Sequence, residues 1–285
     1  MTIDRTRLLE MRIPRVEHRY TRNDVQLYAL GINHGSDPMD STELAYVYEK
    51  NLVVAPTFAL VLGVVSLRDL ELGIDFSGVV HAEQAVELNR PLALEGTVFC
   101  ETRISDVWDL GAKKGAMLVV QRDLFDSAGT HLARCVQKAL CRNDGGFGGP
   151  PPPPRTVATE TDREPDLRCA IEVLPQQALI YRLSGDRNPL HVDPEAAKVA
   201  GFERPILHGL ATFGLIAREL GRRFAANDPA RIEAISARFS AAVFPGQALQ
   251  LHAWTGHGRV AFKAFQDGRL VIDGGSFAFV DTATF

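Results

Sequence analysis

The chain of 285 residues carries 31 basic and 35 acidic side chains, a formal charge of −4, and 46% of its residues are hydrophobic. That composition excludes a disordered or fibrous chain and predicts an ordinary globular one, with about two domains at roughly 150 residues each. The acidic balance argues against a nucleic-acid binder, which needs a basic face to displace counterions from phosphate.

Residues 1–15 are charged throughout and lack the apolar stretch of a secretory signal. The longest apolar run, 52–67, contains Pro56 and Thr57 and is shorter than the ~20 residues a membrane helix needs, so it reads as core. Cys100, Cys135, Cys141 and Cys169 form no C-x-x-C pair and are too sparse for a disulfide scaffold. A reducing, cytoplasmic setting is expected, and residues 282–285 carry no S-K-L peroxisomal address.

Further along, β-rich or alternating sequence predicts strands over 96–107, 116–125 and 131–141, with a turn at Asp126-Ser127-Ala128-Gly129. Gly145-Gly146-Phe147-Gly148-Gly149 and the prolines of 150–154 can continue neither a helix nor a central strand. They mark a linker over 144–164 between an N-terminal unit, 1–143, and a C-terminal unit, 165–285. In the second unit Asp193-Pro194-Glu195 opens a short helix that Gly201 ends. A longer apolar helix starts at His208-Gly209, with Leu210, Phe213, Ala217 and Leu220 on one stripe and Gly221-Arg222-Arg223 closing it. Strands follow over 250–254, 258–266 and 270–279, the last two joined at Asp267-Gly268.

The two units form a weak repeat. Leu27-Tyr28-Ala29-Leu30 lies on Ile180-Tyr181-Arg182-Leu183 at a shift of 153 positions, and Arg90-Pro91-Leu92 on Phe244-Pro245-Gly246 at a shift of 154. Ala55-Pro56-Thr57-Phe58 leads an apolar run as Arg204-Pro205-Ile206-Leu207 does. Each unit therefore reads as a short helix and loop, a Pro-started apolar helix and a series of strands. This predicts an α+β fold of two paired units, each an antiparallel sheet wrapping a helix.

The chemistry concentrates in Ser184-Gly185-Asp186-Arg187-Asn188-Pro189-Leu190-His191, where a carboxylate and an imidazole are separated by an X-Pro bend. Such a pair can converge on one water and exchange a proton with it near neutral pH, a contribution of order 10² to 10⁴ in rate. Other readings stay open: Asp186 as an Asx turn, His191 as a satisfied core histidine, or His191, Asp193 and His208 as metal ligands. Gly209, in the first turn of its helix, offers a backbone N–H to an oxyanion or serves only as a packing glycine. Lys113-Lys114 either meets phosphates or is a solvated turn. No G-x-S-x-G elbow is present, and the 145–149 glycines lead into prolines rather than a helix, so they make no phosphate cradle.

Tyr181 to His191, with Ala200-Gly201-Phe202, Pro205-Ile206-Leu207-His208-Gly209-Leu210 and Phe244-Pro245-Gly246, resembles the signature of the hydratase 2 family, the MaoC-like (R)-specific enoyl-CoA hydratases. Pro56-Thr57, Gly78-Val79-Val80-His81-Ala82-Glu83-Gln84 and the 145–149 glycines extend the similarity to about residues 10–281. The resemblance implies a double hot-dog fold whose second unit alone keeps the catalysts, since Asn33 and Pro38 stand where the repeat places Asp186 and His191. It implies hydration of trans-2-enoyl-CoA to (3R)-3-hydroxyacyl-CoA. Asp186 and His191 would activate water, Asn188 orient them, and the Gly209 N–H receive the thioester oxygen. It further implies substrate contacts at Pro56, Thr57, His81, Glu83, Gln84, Lys114, His208 and Leu210, an acyl tunnel widened by the first unit, no metal or cofactor, and a homodimer. Ala82 stands where relatives commonly have Gly. A hot-dog thioesterase, a non-catalytic acyl-thioester binder and a dehydratase subunit acting on carrier-bound chains are the alternatives.

Overall fold

The alternating β-rich stretches form ten strands in a computed structural model that describes residues 3–154, 161, 163–256 and 258–281. The first half contributes β1 (Val16–Tyr20), β2 (Val79–Leu88), β3 (Gly96–Asp109), β4 (Ala116–Phe125) and β5 (His131–Cys141). The second contributes β6 (Leu167–Ile171), β7 (Ile232–Phe239), β8 (Leu249–Gly256), β9 (Arg259–Gln266) and β10 (Arg269–Phe279). They make one sheet in the order β1-β3-β4-β5-β2-β7-β10-β9-β8-β6, its second half the mirror of its first. The halves join where β2 pairs antiparallel with β7, Glu83 opposite Arg238. The sequence repeat thus becomes a pseudo-twofold, and its landmark tyrosines meet there, the Tyr28 and Tyr181 rings lying 5.9 Å apart.

Six helices occur among the described residues: α1 (Arg5–Glu10), α2 (Arg22–Gly31), α3 (Ser41–Leu44), α4 (Gln177–Tyr181), α5 (Pro194–Val199) and α6 (Gly209–Phe224), with α1 against β3 and α6 against β6, β7 and β10. Asp193 caps α5 through the Glu195 N–H at 2.9 Å. The α6 helix is buried nearly all round, including Gly214, Leu215 and Ile216 outside the expected stripe, because the sheet covers one side and the first half the other. Gly221 does not close it. A Cβ there would lie 3.2 Å from Ile232, so this glycine serves packing, and the helix ends a turn later at Ala225.

The Pro-started helix expected in the first half is only a short 3-10 segment, Pro56–Val61. Gly63 ends it with φ +58, and a Cβ there would lie 2.3 Å from the Cys100 sulfur, so the chain must turn beneath β3 instead of continuing as helix. Gly63→Ala combines left-handed strain with overlap in the core, and we expect a loss of about 2–4 kcal/mol in urea unfolding.

A second apolar cluster, built from Ile3, Leu8, Leu72 and Ile74 against Ile104, Leu118 and Val120, seals the other face of the first-half strands. The expected linker begins as non-regular chain. The Asp109 carboxylate accepts the N–H groups of Gly111, Gly146 and Gly148 at 2.7–2.8 Å, folding the glycine run back over the β3–β4 turn. Residues 155–160 and 162 of that linker lie outside the described residues. No helix among the described residues is long and apolar enough to cross a membrane.

Candidate active site

The loop between α4 and α5 carries the candidate acid/base pair. Gly185, at φ +130 with open space around its missing Cβ, makes the reversal that presents Asp186. The Asp186 carboxylate accepts the Asn188 N–H at 3.1 Å, and the Asn188 side-chain oxygen accepts the Leu190 N–H at 3.1 Å. Asn188 thereby caps the short 3-10 turn Pro189–His191 that holds the imidazole. The Asx turn is present, and it coexists with a clustered site: Asp186, His191 and His208 bring one potential ligand atom each within 4.8 Å of one another.

Hydrogen bonding fixes both imidazoles. His191 Nδ1 lies 2.8 Å from the Ile206 carbonyl, which can only accept, so Nδ1 is the protonated nitrogen and Nε2 keeps a lone pair. His208 Nε2 donates to the Asp186 carbonyl at 3.1 Å and so ties the Asp186 loop to the start of α6. The two rings stack with centroids 3.7 Å apart. Burial lowers the His191 pKa, partly opposed by its bond to Ile206 and the Asp186 carboxylate. His208 is lowered to about 4 by burial and by His191 beside it. Both are neutral at pH 7. The donor types would suit zinc or iron, but Asp193, which the sequence offered as a third ligand, is used up as a helix cap and Asp186 stands in its place.

The start of α6 is the candidate donor to an oxyanion. His208 makes no side-chain cap, and the first backbone–backbone bond of the turn is Thr212 N–H to His208 C=O at 3.1 Å. The N–H of Gly209 and the positive end of the helix dipole therefore face outward beside the Asp186 loop. A Cβ on Gly209 would lie 3.4 Å from the Phe239 ring, so the phenyl group walls this end of the helix. His81 packs edge-on against the same ring at 4.9 Å and is how the first half reaches the site, across the β2–β7 seam.

Other residues singled out by sequence are spread more widely. Register shifts between His81 and Glu83, so Ala82 is the extra residue of a bulge, with a backbone that an alanine accommodates. Glu83 accepts from Lys138 at 2.5 Å. The buried Gln84 amide donates to Ala85 and Val136 carbonyls within the sheet, at 2.8 and 3.1 Å. Lys114 is exposed in the β3–β4 turn, at the same end of the sheet as His81. Leu210 is half-buried in the first turn of α6. Pro56 and Thr57 line a small cavity against Ala217 and Ile235, away from the acid/base pair. No local pattern singles out His34, Glu43 and Arg218, which meet between the halves.

Burial lowers His81 to about 4, opposed by the Glu83 backbone, the Gln84 side chain and the Asp186 carboxylate. The unfolded chain then takes up a proton below its own pKa of about 6.5 while the native His81 does not. Stability is therefore full above that pH and lost progressively as pH falls toward 4. This one group contributes about 3 kcal/mol over the window. Thermal melts between pH 7 and 4.5 should show the loss, and His81→Gln should shrink it.

An acid/imidazole pair lies at the open N-terminus of a buried helix within a ten-stranded antiparallel sheet, an arrangement that suits chemistry on an acyl thioester. A model of the MFE-2 hydratase 2 N-terminal domain matches residues 18–143, and a MaoC like domain matches 156–270. The chain is 39% identical over 260 residues to the enoyl-CoA hydratase ChsH3 of Mycobacterium tuberculosis, covering 89% of this chain and 90% of that protein. It is 37% identical to the peroxisomal multifunctional enzyme type 2 of Mus musculus, covering 95% of this chain and 37% of that longer protein. A crystal structure of a MaoC-like dehydratase from Phytophthora capsici superposes with a TM-score of 0.86 at 32% identity, covering 98% of this chain and 99% of that one. A Mycobacterium tuberculosis protein described as a double hotdog fold aligns with a TM-score of 0.57 at 13% identity, covering 95% of this chain and 96% of that one. The chain belongs to the MaoC-like hydratase 2 family.

Proposed function

We propose that the protein hydrates trans-2-enoyl-CoA to (3R)-3-hydroxyacyl-CoA, reversibly. The observation that carries this is the meeting of Asp186 and a neutral His191 with the uncapped start of α6. The β-carbon of an enoyl thioester is electrophilic only when charge can flow into its carbonyl. The Gly209 N–H is the donor for that oxygen, worth about 2.7–4 kcal/mol in comparable oxyanion holes. A water held between the Asp186 carboxylate and His191 Nε2 gives its hydroxyl to the β-carbon, and its proton passes through the pair to the α-carbon. Asn188 and His208 position the pair through the contacts above. No step needs a metal or an organic cofactor.

The first unit, 1–143, contributes the acyl wall through Pro56 and Thr57 and the site wall through His81, while Lys114 offers a cation to the CoA phosphates. Glu83 and Gln84 support that wall from within the sheet. The catalytic unit is 165–285. Unpaired cysteines favour a reducing cytoplasm. Exposed Leu30 and Leu179, on the packed helices α2 and α4, favour a homodimer.

Loss of the ultraviolet absorbance of a conjugated enoyl-CoA on adding the protein tests the activity. Release of free thiol from acyl-CoA without that loss would assign a thioesterase instead, and binding without turnover would assign a non-catalytic acyl-thioester binder.

A further inference from the structure

Five charged side chains stand in one row across the sheet. Lys138 of β5 donates to Glu83 of β2 at 2.5 Å, and Glu83 lies directly opposite Arg238 of β7. Arg238 forms an ion pair with Asp273 of β10, its partner in register. Burial raises the Asp273 carboxyl, but Arg238, the Gly274 N–H and Lys263 of β9 together hold it below its ordinary value. Because β5, β2, β7, β10 and β9 are consecutive neighbours, the signs alternate from one strand to the next. An aromatic ring closes each end of the row, with Lys138 5.4 Å over Trp108 and Lys263 5.8 Å over Trp254.

A lone surface ion pair contributes little. Here Glu83, Arg238 and Asp273 each have an opposite charge on both sides, and the side chains of the two ion pairs are only 21–31% exposed. The pairing of β2 with β7 runs from Glu87 opposite Ala234 to Glu83 opposite Arg238 and stops there, since β2 bulges at Ala82. The row therefore crosses the seam at its last pair. Just beyond that pair, His81 and Phe239 meet at 4.9 Å, and Phe239 stands 3.4 Å from the point where a Cβ on Gly209 would lie. Paired strands open from their ends inward, so the charges clamp the end of the seam that faces the start of α6.

We propose that Glu83 and Arg238 are positioning residues for the hydration, holding His81 and Phe239 against the start of α6 through the clamped end of the seam. With that wall in place, bulk water is kept from the Gly209 N–H and the thioester oxygen takes it. The inference rests on the hydratase reading for the role of this N–H. A donor to the developing oxyanion is felt most in the transition state, so a loosened wall lowers kcat more than it raises KM. Salt screens partly exposed charges, and the row thus makes kcat fall as ionic strength rises.

Steady-state hydration of crotonyl-CoA tests this with Arg238→Met, which keeps an apolar stem without the charge, and Glu83→Gln, which keeps the shape. Each should lower kcat about 10-fold or more with KM within about twofold, and Arg238→Lys should retain most of the rate. Raising sodium chloride from about 0.05 to 0.5 M should lower kcat of the unaltered protein about 3-fold and leave that of Arg238→Met unchanged. Hydrogen–deuterium exchange without substrate reads the clamp by itself. Amides of 79–84 and 236–240 should exchange about 10-fold faster in both variants while those inside α6 stay protected. Unchanged kcat, a loss confined to KM, or unchanged exchange would overturn the proposal. Were exchange to quicken as expected in a protein that hydrates no enoyl-CoA, the clamp would stand and the hydratase reading would fall.

Discussion

Asp186→Asn is expected to lower kcat/KM for hydration of an enoyl-CoA by at least about 10², as is His191→Ala, within the range general acid/base groups contribute. The asparagine keeps an oxygen to accept the Asn188 N–H and so preserves the loop, yet it cannot take a proton. The two single changes should not multiply in the double variant, because in the proposed mechanism both groups act on one water. The pH profile gives an independent reading. His191 must be neutral to act as a base, and burial lowers its pKa, so the acid limb of kcat/KM should fall below pH 6.5 rather than at it. Circular dichroism of each variant separates lost chemistry from lost fold. Full activity in both variants would remove the pair from the mechanism.

Glu43→Ala should cost about 3–5 kcal/mol in urea unfolding, because it strands a buried guanidinium. Arg218 extends from α6 into the first half, where its Nη2 meets the Glu43 carboxylate at 2.7 Å and the Ser36 hydroxyl at 2.7 Å. The paired side chains are only 9% and 1% exposed. The same Glu43 oxygen also accepts the Gly35 N–H at 3.1 Å, so the pair fixes the loop that carries His34. A double change, Glu43→Leu with Arg218→Met, should recover most of the loss, since apolar replacements of a buried ion pair are often neutral or stabilising. A single variant as stable as the parent would show that water reaches the pair.

The strands over 116–125 and 131–141 were legible in the sequence because local chemistry dictates them: largely apolar stretches bounded by a turn that Asp126 closes through the Ala128 and Thr130 N–H groups. The same holds for the caps, with Asp193 starting α5 and Asn188 starting the turn of His191. The first-half helix was misjudged for a complementary reason. Its apolar run satisfies helical periodicity, but Gly63 is committed by its approach to Cys100, a residue 37 positions away. A close approach of that kind leaves no periodic trace.

By itself, the sequence determined the two-unit repeat, most of the strands, the loop holding Asp186, Asn188 and His191, and the glycine opening α6, because each is written in neighbouring residues. Tertiary structure alone decided that His208 stacks on His191, that His81 of the first half reaches Phe239 beside the second half's site, and that His34, Glu43 and Arg218 meet at the seam. No local pattern links the residues of those contacts, and the reach of His81 to Phe239 comes from the pairing of β2 with β7, which joins the two halves into one sheet.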